Sequence, residues 1–272
     1  MHRLRVFVIL LLLTGLGHVH AATLSLDLGS GPTQRDSASL LADPDARTIE
    51  IPHDVAYRRP MRYRALPLAV LLAGVAADAQ VQFVASDGFV AELAAAPLLA
   101  SRGARAWLAV EDPAAPWPSL GGGKAGSAGP FYLVWTDPAA GGVTPEQWPY
   151  QVAAIRLVDD IGRRFPALLP DASVPQDSPA RRGFAVFRQH CLTCHTLNRQ
   201  GGAQLGPDLN QPHGPLEYFG EATLRAYIRD PQSLRYWPQA RMPAFDAQVL
   251  PDADLDALLA YLRQMQQQRG SP

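Results

Sequence analysis

"FRQHCLTCHTLNRQGG", Phe187 to Gly202, holds both cysteines of the 272-residue chain, Cys191 and Cys194, with His195 directly after the second. Three chemistries use a Cys-x-x-Cys pair: a dithiol redox couple, half of a zinc site, and covalent attachment of a c-type haem. Zinc asks for about four ligands in a tetrahedral array. Cys191, Cys194 and His195 supply three, and His213 would complete the set only at a spacing unlike the common ones. A redox dithiol belongs between a strand and a helix of a βαβ unit, whereas the residues before Cys191 read as helix. The haem chemistry needs one residue more than the two thiols, a His directly after the second Cys, and His195 stands there. In that reading the thiols form thioethers and the imidazole is an axial ligand of iron.

The N-terminus, "MHRLRVFVILLLLTGLGHVHAATL", has a basic start at Arg3 and Arg5, an apolar run from Val6 to Leu13, and a small-x-small triplet at Val19-His20-Ala21. This predicts a secretory signal peptide over residues 1–21, with a mature chain beginning near Ala22. The run is short for a membrane span, so no stable span is expected after cleavage; an uncleaved anchor is the alternative. Export to the periplasm agrees with covalent haem attachment. Net charge is −1 and Lys124 is the only lysine, which leaves no basic stripe for nucleic acid and no polybasic membrane patch. An apolar fraction of 47% is ample for packed cores, and the length predicts two domains.

The boundary is read in "RRFPALLPDASVPQDSPARRG", where prolines favour an extended spacer. The expected organisation is a mixed α+β sheet domain over 22–164, a Pro-rich linker over 165–178, and an all-α domain over 179–268. Upstream, "RTIEI", "VQFVAS", "GFVAEL", "ARAWLAV", "PFYLVW" and "YQVAAIRLV" are strand-length and rich in Val, Ile and aromatics. "ALPLAVLLAGV" and "AELAAAPLLA" read as short helices or helical turns. "SLGGGKAGSAGP" lacks the Ser or Thr after Lys124 that a phosphate-binding loop requires, and reads as a surface loop. Downstream, helices are predicted over Pro179 to His190, Glu221 to Arg229 and Pro251 to Gln267. The last has Asp252 and Asp254 at its positive dipole end and a stripe of Leu255, Leu258, Leu259 and Leu262. His190 is expected to face solvent.

From Ser178 to Gln267 the chain resembles class I c-type cytochromes. Gly183 and Phe187 stand where that family places a small residue and an aromatic before the motif, with Tyr261 as the partner aromatic. "LGPDL" (Leu205 to Leu209) follows the motif, and "ARMPAF" presents Met242. The resemblance implies one covalent haem c on Cys191 and Cys194, with His195 and Met242 as axial ligands. It also implies Pro207 beside the proximal histidine, with a nearby backbone carbonyl accepting its ring N–H. Tyr236, Trp237 and Arg241 are candidate contacts to the haem edge or its propionates. A His/Met pair raises the reduction potential, and Pro243 would stiffen the Met242 loop.

Residues from about Arg47 to Val158 resemble a reduced sulfite-oxidase-type molybdopterin-binding fold. The phrases are "MRYRALPLAVLLAGV", "VQFVASDGFVAEL", "LAVED", "GPFYLVW" and "QWPYQVAAIRLV". That family binds molybdenum through a cysteine thiolate, and both cysteines here belong to the haem motif, so no molybdenum cofactor is expected. In "IPHDVAYRRPMRYR", His53, Asp54, Tyr57, Arg58 and Arg59 would line an anion or partner site, the plainer reading being a solvated strand edge and turn.

The function these features predict is electron transfer in the periplasm by a c-type cytochrome without catalytic residues. Its partners would be redox proteins such as a dehydrogenase or oxidase, and the first domain would be a docking or scaffold module. The alternative is a haem-bearing oxidoreductase, or the haem subunit of a molybdoenzyme complex, whose first domain binds a small substrate or cofactor. A sensor in which a ligand displaces Met242 is a third class.

Overall fold

The computed structural model describes residues 21–121 and 126–269. The expected signal peptide up to His20, and Lys124 in the glycine-rich loop, lie outside the described residues. The strands are β1 (Thr23–Asp27), β2 (Thr33–Asp36), β3 (Arg47–Ile51), β4 (Met61–Pro67), β5 (Gln80–Ala85), β6 (Val90–Ala94), β7 (Arg105–Val110), β8 (Phe131–Thr136) and β9 (Val152–Val158). Single helical turns, α1 (Ser37–Leu41), α2 (Leu68–Leu71) and α3 (Ala95–Leu98), join them. One sheet runs β2-β1-β9-β5-β6 and the other β3-β4-β7-β8.

Strand β8 is apolar up to its terminal Thr136, and Phe131 to Trp135 are all buried, because both of its faces are covered. Strand β4 alternates: Met61, Tyr63 and Ala65 are buried, while Arg62 and Arg64 face solvent. That period of two carries the strand to Pro67, and the short helix or helical turn expected in "ALPLAVLLAGV" is the turn Leu68–Leu71. One core serves both sheets, joining Phe83 and Ile155 of the first to Tyr63, Leu108 and Leu133 of the second. Phe83 and Ile155 face each other across the β5–β9 pair.

A second core is helical, built on α4 (Ile161–Arg164), α5 (Pro179–His190), α6 (Pro215–Phe219), α7 (Glu221–Arg229) and, after the short α8 (Pro231–Leu234), α9 (Asp252–Gln267). Helix α5 starts at the Ser178 cap, whose side chain accepts from the Arg181 N–H, with Pro179 in the first turn. Helices α5 and α9 pack face to face. Gly183 permits this, since a Cβ there would overlap the Ala257 carbonyl. Phe187 and Tyr261 meet with ring centroids 5.2 Å apart. The leucine stripe Leu255, Leu258, Leu259 and Leu262 is buried. Pro251 caps α9 rather than lying in its first turn.

Two expectations are corrected. The segment 165–178 is not an extended spacer throughout. Residues Pro166–Leu168 form a 3-10 turn, Leu168 is fully buried, and its carbonyl accepts the Tyr261 hydroxyl at 2.7 Å. Phe165 and Leu168 are large and apolar, and their burial outweighs the neighbouring prolines. His190 does not face solvent: it is 7% exposed, its ring meeting Phe245 edge-on and its Nδ1 lying 3.1 Å from Glu146.

The helical region is fastened to the edge of the first sheet. The Val90 N–H of β6 donates to the Thr193 carbonyl at 3.0 Å, and the Gln204 N–H donates to the Gly88 carbonyl at 3.2 Å. Arg164 reaches back to Glu92 at 2.6 Å. Among the described residues, no helix is long and apolar enough to cross a membrane.

Candidate functional site

Helix α5 ends in the Cys motif. The N–H groups of Cys191 and Leu192 both donate to the Phe187 carbonyl at 2.9 Å. Those of Cys194 and His195 then donate to the Cys191 carbonyl at 3.0 and 2.9 Å. Because the helical winding continues as a tight turn, the two thiols and the imidazole leave one short backbone arc. Cys191 is half-buried against the helical core. Burial foremost, and then the Glu146 charge, push its thiol up.

His195 is held from the opposite strand of the loop. Its Nδ1 lies 2.8 Å from the Pro207 carbonyl. A carbonyl only accepts, so Nδ1 carries the proton and Nε2 keeps its lone pair, the form a metal ligand needs. Burial lowers the His195 pKa, with the Pro207 bond opposing it, and so favours the neutral ring. Gly206 lies flat against the same ring, where a Cβ would overlap it, and its N–H donates to the Cys194 carbonyl at 2.7 Å.

The loop between His195 and Gly206 turns back through Asn198 and Arg199, both with positive φ. Asp208 holds that turn: its carboxylate accepts from the N–H groups of Arg199, Asn210 and Gln211 at 2.7, 2.8 and 2.8 Å. The buried Asn210 amide donates to Asn198 Oδ1 and to the Met265 carbonyl, both at 2.7 Å, which ties the loop to α9. Sequence reasoning passed over Gly206, Asp208 and Asn210. The run Gly-Pro-Asp-Leu-Asn carries the turn-forming residue types that mark them.

Met242 lies half-buried against the helical core that also receives Cys191. Its segment is anchored at Phe245, whose N–H donates to the Ile228 carbonyl at 3.1 Å. Arg229, at the end of α7, donates to the carbonyls of Phe245 and Leu250 at 2.8 and 2.6 Å. Of the other candidates, Pro207 brings its carbonyl to His195 while its own side chain faces solvent. Tyr236 is 77% and Trp237 57% exposed, and Arg241 faces solvent. Trp237 is held instead by Gln232, through bonds of 2.7 and 2.9 Å to its main chain.

His213 pairs with Glu217 at 3.2 Å. Among the described residues, no group of three or more His, Cys, Asp or Glu side chains is arranged to hold a metal ion. The polar segment 51–64 splits. Asp54 turns inward, accepting from the Tyr63 hydroxyl and the Tyr57 N–H at 2.8 Å each, while His53, Arg58 and Arg59 stay exposed.

Residues 180–266 match the cytochrome c family. A cytochrome c from Theileria annulata is 28% identical over 111 residues, which cover 35% of this chain and 92% of that protein. The matched stretch runs from α5 to α9 and does not reach the two sheets. With the Cys-x-x-Cys-His turn and the carbonyl-bound imidazole at its centre, the C-terminal helical region, residues 180–266, is a cytochrome c domain.

Proposed function

We propose that the chain is a periplasmic carrier of single electrons. One haem c would be held covalently by Cys191 and Cys194 and ligated by His195 and Met242. The observation that carries the reading is the Pro207–His195 bond at 2.8 Å, beside a Gly206 that leaves room for the ring. Together they hold a neutral imidazole in one tautomer next to two thiols. A bound haem supplies a one-electron couple at its iron.

The chain's own residues supply position and exclusion of water. His195 is oriented through Nδ1, and the second partner of such a ligand tunes its basicity. Phe187, Leu192, Leu197 and Tyr261 give the site an apolar wall, all of them buried. The Phe245 anchor and the Arg229 bonds restrain the segment that carries Met242.

The sheet region serves as a scaffold of reduced sulfite-oxidase type without molybdenum. Both cysteines of the chain sit in the haem motif, so no thiolate remains for that metal. Its fixed contacts with the attachment loop, Val90 to Thr193 and Gln204 to Gly88, support a role in holding the haem region rather than in chemistry of its own. The partners are redox proteins of the periplasm.

The test is intact-mass analysis of the exported protein, with absorption spectra of both redox states. The reading expects one tetrapyrrole added to two sulfurs. It also expects low-spin reduced bands and a weak near-infrared sulfur-to-iron band that Met242→Ala abolishes. An unmodified chain overturns it. Molybdenum in proportion to iron overturns the scaffold assignment.

A further inference from the structure

Glu146 and His190 come from regions 44 residues apart, yet their side chains lie 3.1 Å from each other at 9% and 6% exposure. Glu146 belongs to the sheet region, in the 3-10 turn Pro145–Gln147. That turn is itself fixed. The Thr144 N–H donates to the Gln147 side chain at 2.9 Å, and Trp135 of β8 donates its indole N–H to the Gln147 carbonyl at 2.8 Å. His190 is the last residue of α5, directly before Cys191. Its ring is also met edge-on by Phe245, at 5.8 Å and 82°. Phe245 stands three residues after Met242. One imidazole thus touches the sheet region, ends the attachment helix, and supports the Met242 segment.

A carboxylate so far removed from water is costly unless it is bonded, and this one reaches out of its own region to find its partner. Glu146 lies outside residues 180–266, so the cytochrome c match does not account for it. We propose that Glu146 is a positioning residue for the haem pocket. By accepting from His190 Nδ1 it holds the end of α5, and with it Cys191, in register with Phe245 and the Met242 segment. This deepens the electron-carrier reading and rests on it for the spectroscopic part of the test. Hydrogen exchange reads the polypeptide itself, whatever is attached.

The test uses the full exported chain with Glu146→Ala, Glu146→Gln, His190→Ala and the Ala double variant. In Glu146→Ala, the amides of Cys191 and His195 should exchange about tenfold faster or more, the scale of a lost bond to a charged group. The near-infrared band should weaken. Glu146→Gln keeps an acceptor oxygen and should restore both. His190→Ala should match Glu146→Ala, and the double variant should be no worse than either.

Wild-type exchange in Glu146→Ala, no rescue by Gln, or additive effects of the two Ala changes would each overturn the proposal. If Glu146→Ala does not accumulate, the comparison of Glu146→Gln with His190→Ala decides. A tight Gln variant beside a loosened Ala variant supports the proposal, and any other pairing defeats it. Absence of an attached tetrapyrrole defeats the electron-carrier reading alone, while exchange still decides the role of Glu146.

Discussion

The Pro207 carbonyl lies 2.8 Å from Nδ1 of His195, and Gly206, one residue earlier, backs onto the same ring. The two neighbours act together, one by bonding the imidazole and the other by leaving it space. Gly206→Ala should displace the ring and break the bond. The expected cost is about 1–3 kcal/mol, as for other overpacked sites. Urea unfolding measures the loss, and the oxidised spectrum should turn toward high spin. An unchanged midpoint and spectrum would show that the ring has slack.

Tyr261→Phe isolates one buried hydroxyl. Its bond to the Leu168 carbonyl is 2.7 Å and fully enclosed. Removing it leaves a buried acceptor unsatisfied, at about 1–3 kcal/mol. Because Leu168 anchors the chain just before the proline-rich stretch, limited proteolysis between residues 168 and 178 should quicken in the variant. Equal cleavage rates would mean that the apolar side chains hold this segment unaided.

Gly183→Ala should be worse. The atom in the way is the backbone carbonyl of Ala257, which cannot swing aside as a side chain can. Helices α5 and α9 must part, and the loss should reach or exceed about 3 kcal/mol. Thermal unfolding of the two proteins is the comparison. A shift within error would mean that the helices separate freely.

Asp54 gives a pH signature. Burial holds its carboxyl above the ordinary value of 3.8, although donors from Tyr57, Tyr63 and Tyr132 pull the other way. A folded value raised above the unfolded one means that the folded state binds the proton more readily. Stability from this group therefore falls as pH rises from 3.8 toward the folded value, and the penalty is complete above it. The stability of wild type relative to Asp54→Asn should be greater at acid pH than at neutral pH. Urea unfolding at both pH values checks it, and a difference independent of pH contradicts it.

What could be read from the chain follows the range of the forces involved. Helix α5 and helix α7 lie over the predicted residues, because a cap, a proline and helical spacing are local signals. Strand β4 was hidden by composition: arginines between Met61, Tyr63 and Ala65 looked polar, while the alternation itself carried the information. His190 reads as a surface residue because its partner, Glu146, is 44 residues away, and no local pattern records such a meeting. Asp208 and Asn210 carry no ligand signature in the sequence, because their work is to bond backbone.

Strand β6 ends its sheet, and an outermost strand offers unpaired amides to any neighbour. Here the attachment loop occupies part of that border, with Thr193 taking the Val90 N–H. The conformation of the Cys-motif loop and the colloidal behaviour of the whole molecule are thereby joined. A change that frees the loop from this border would leave the rim open to strangers, and light scattering should find such a variant clustering while the wild type stays dispersed.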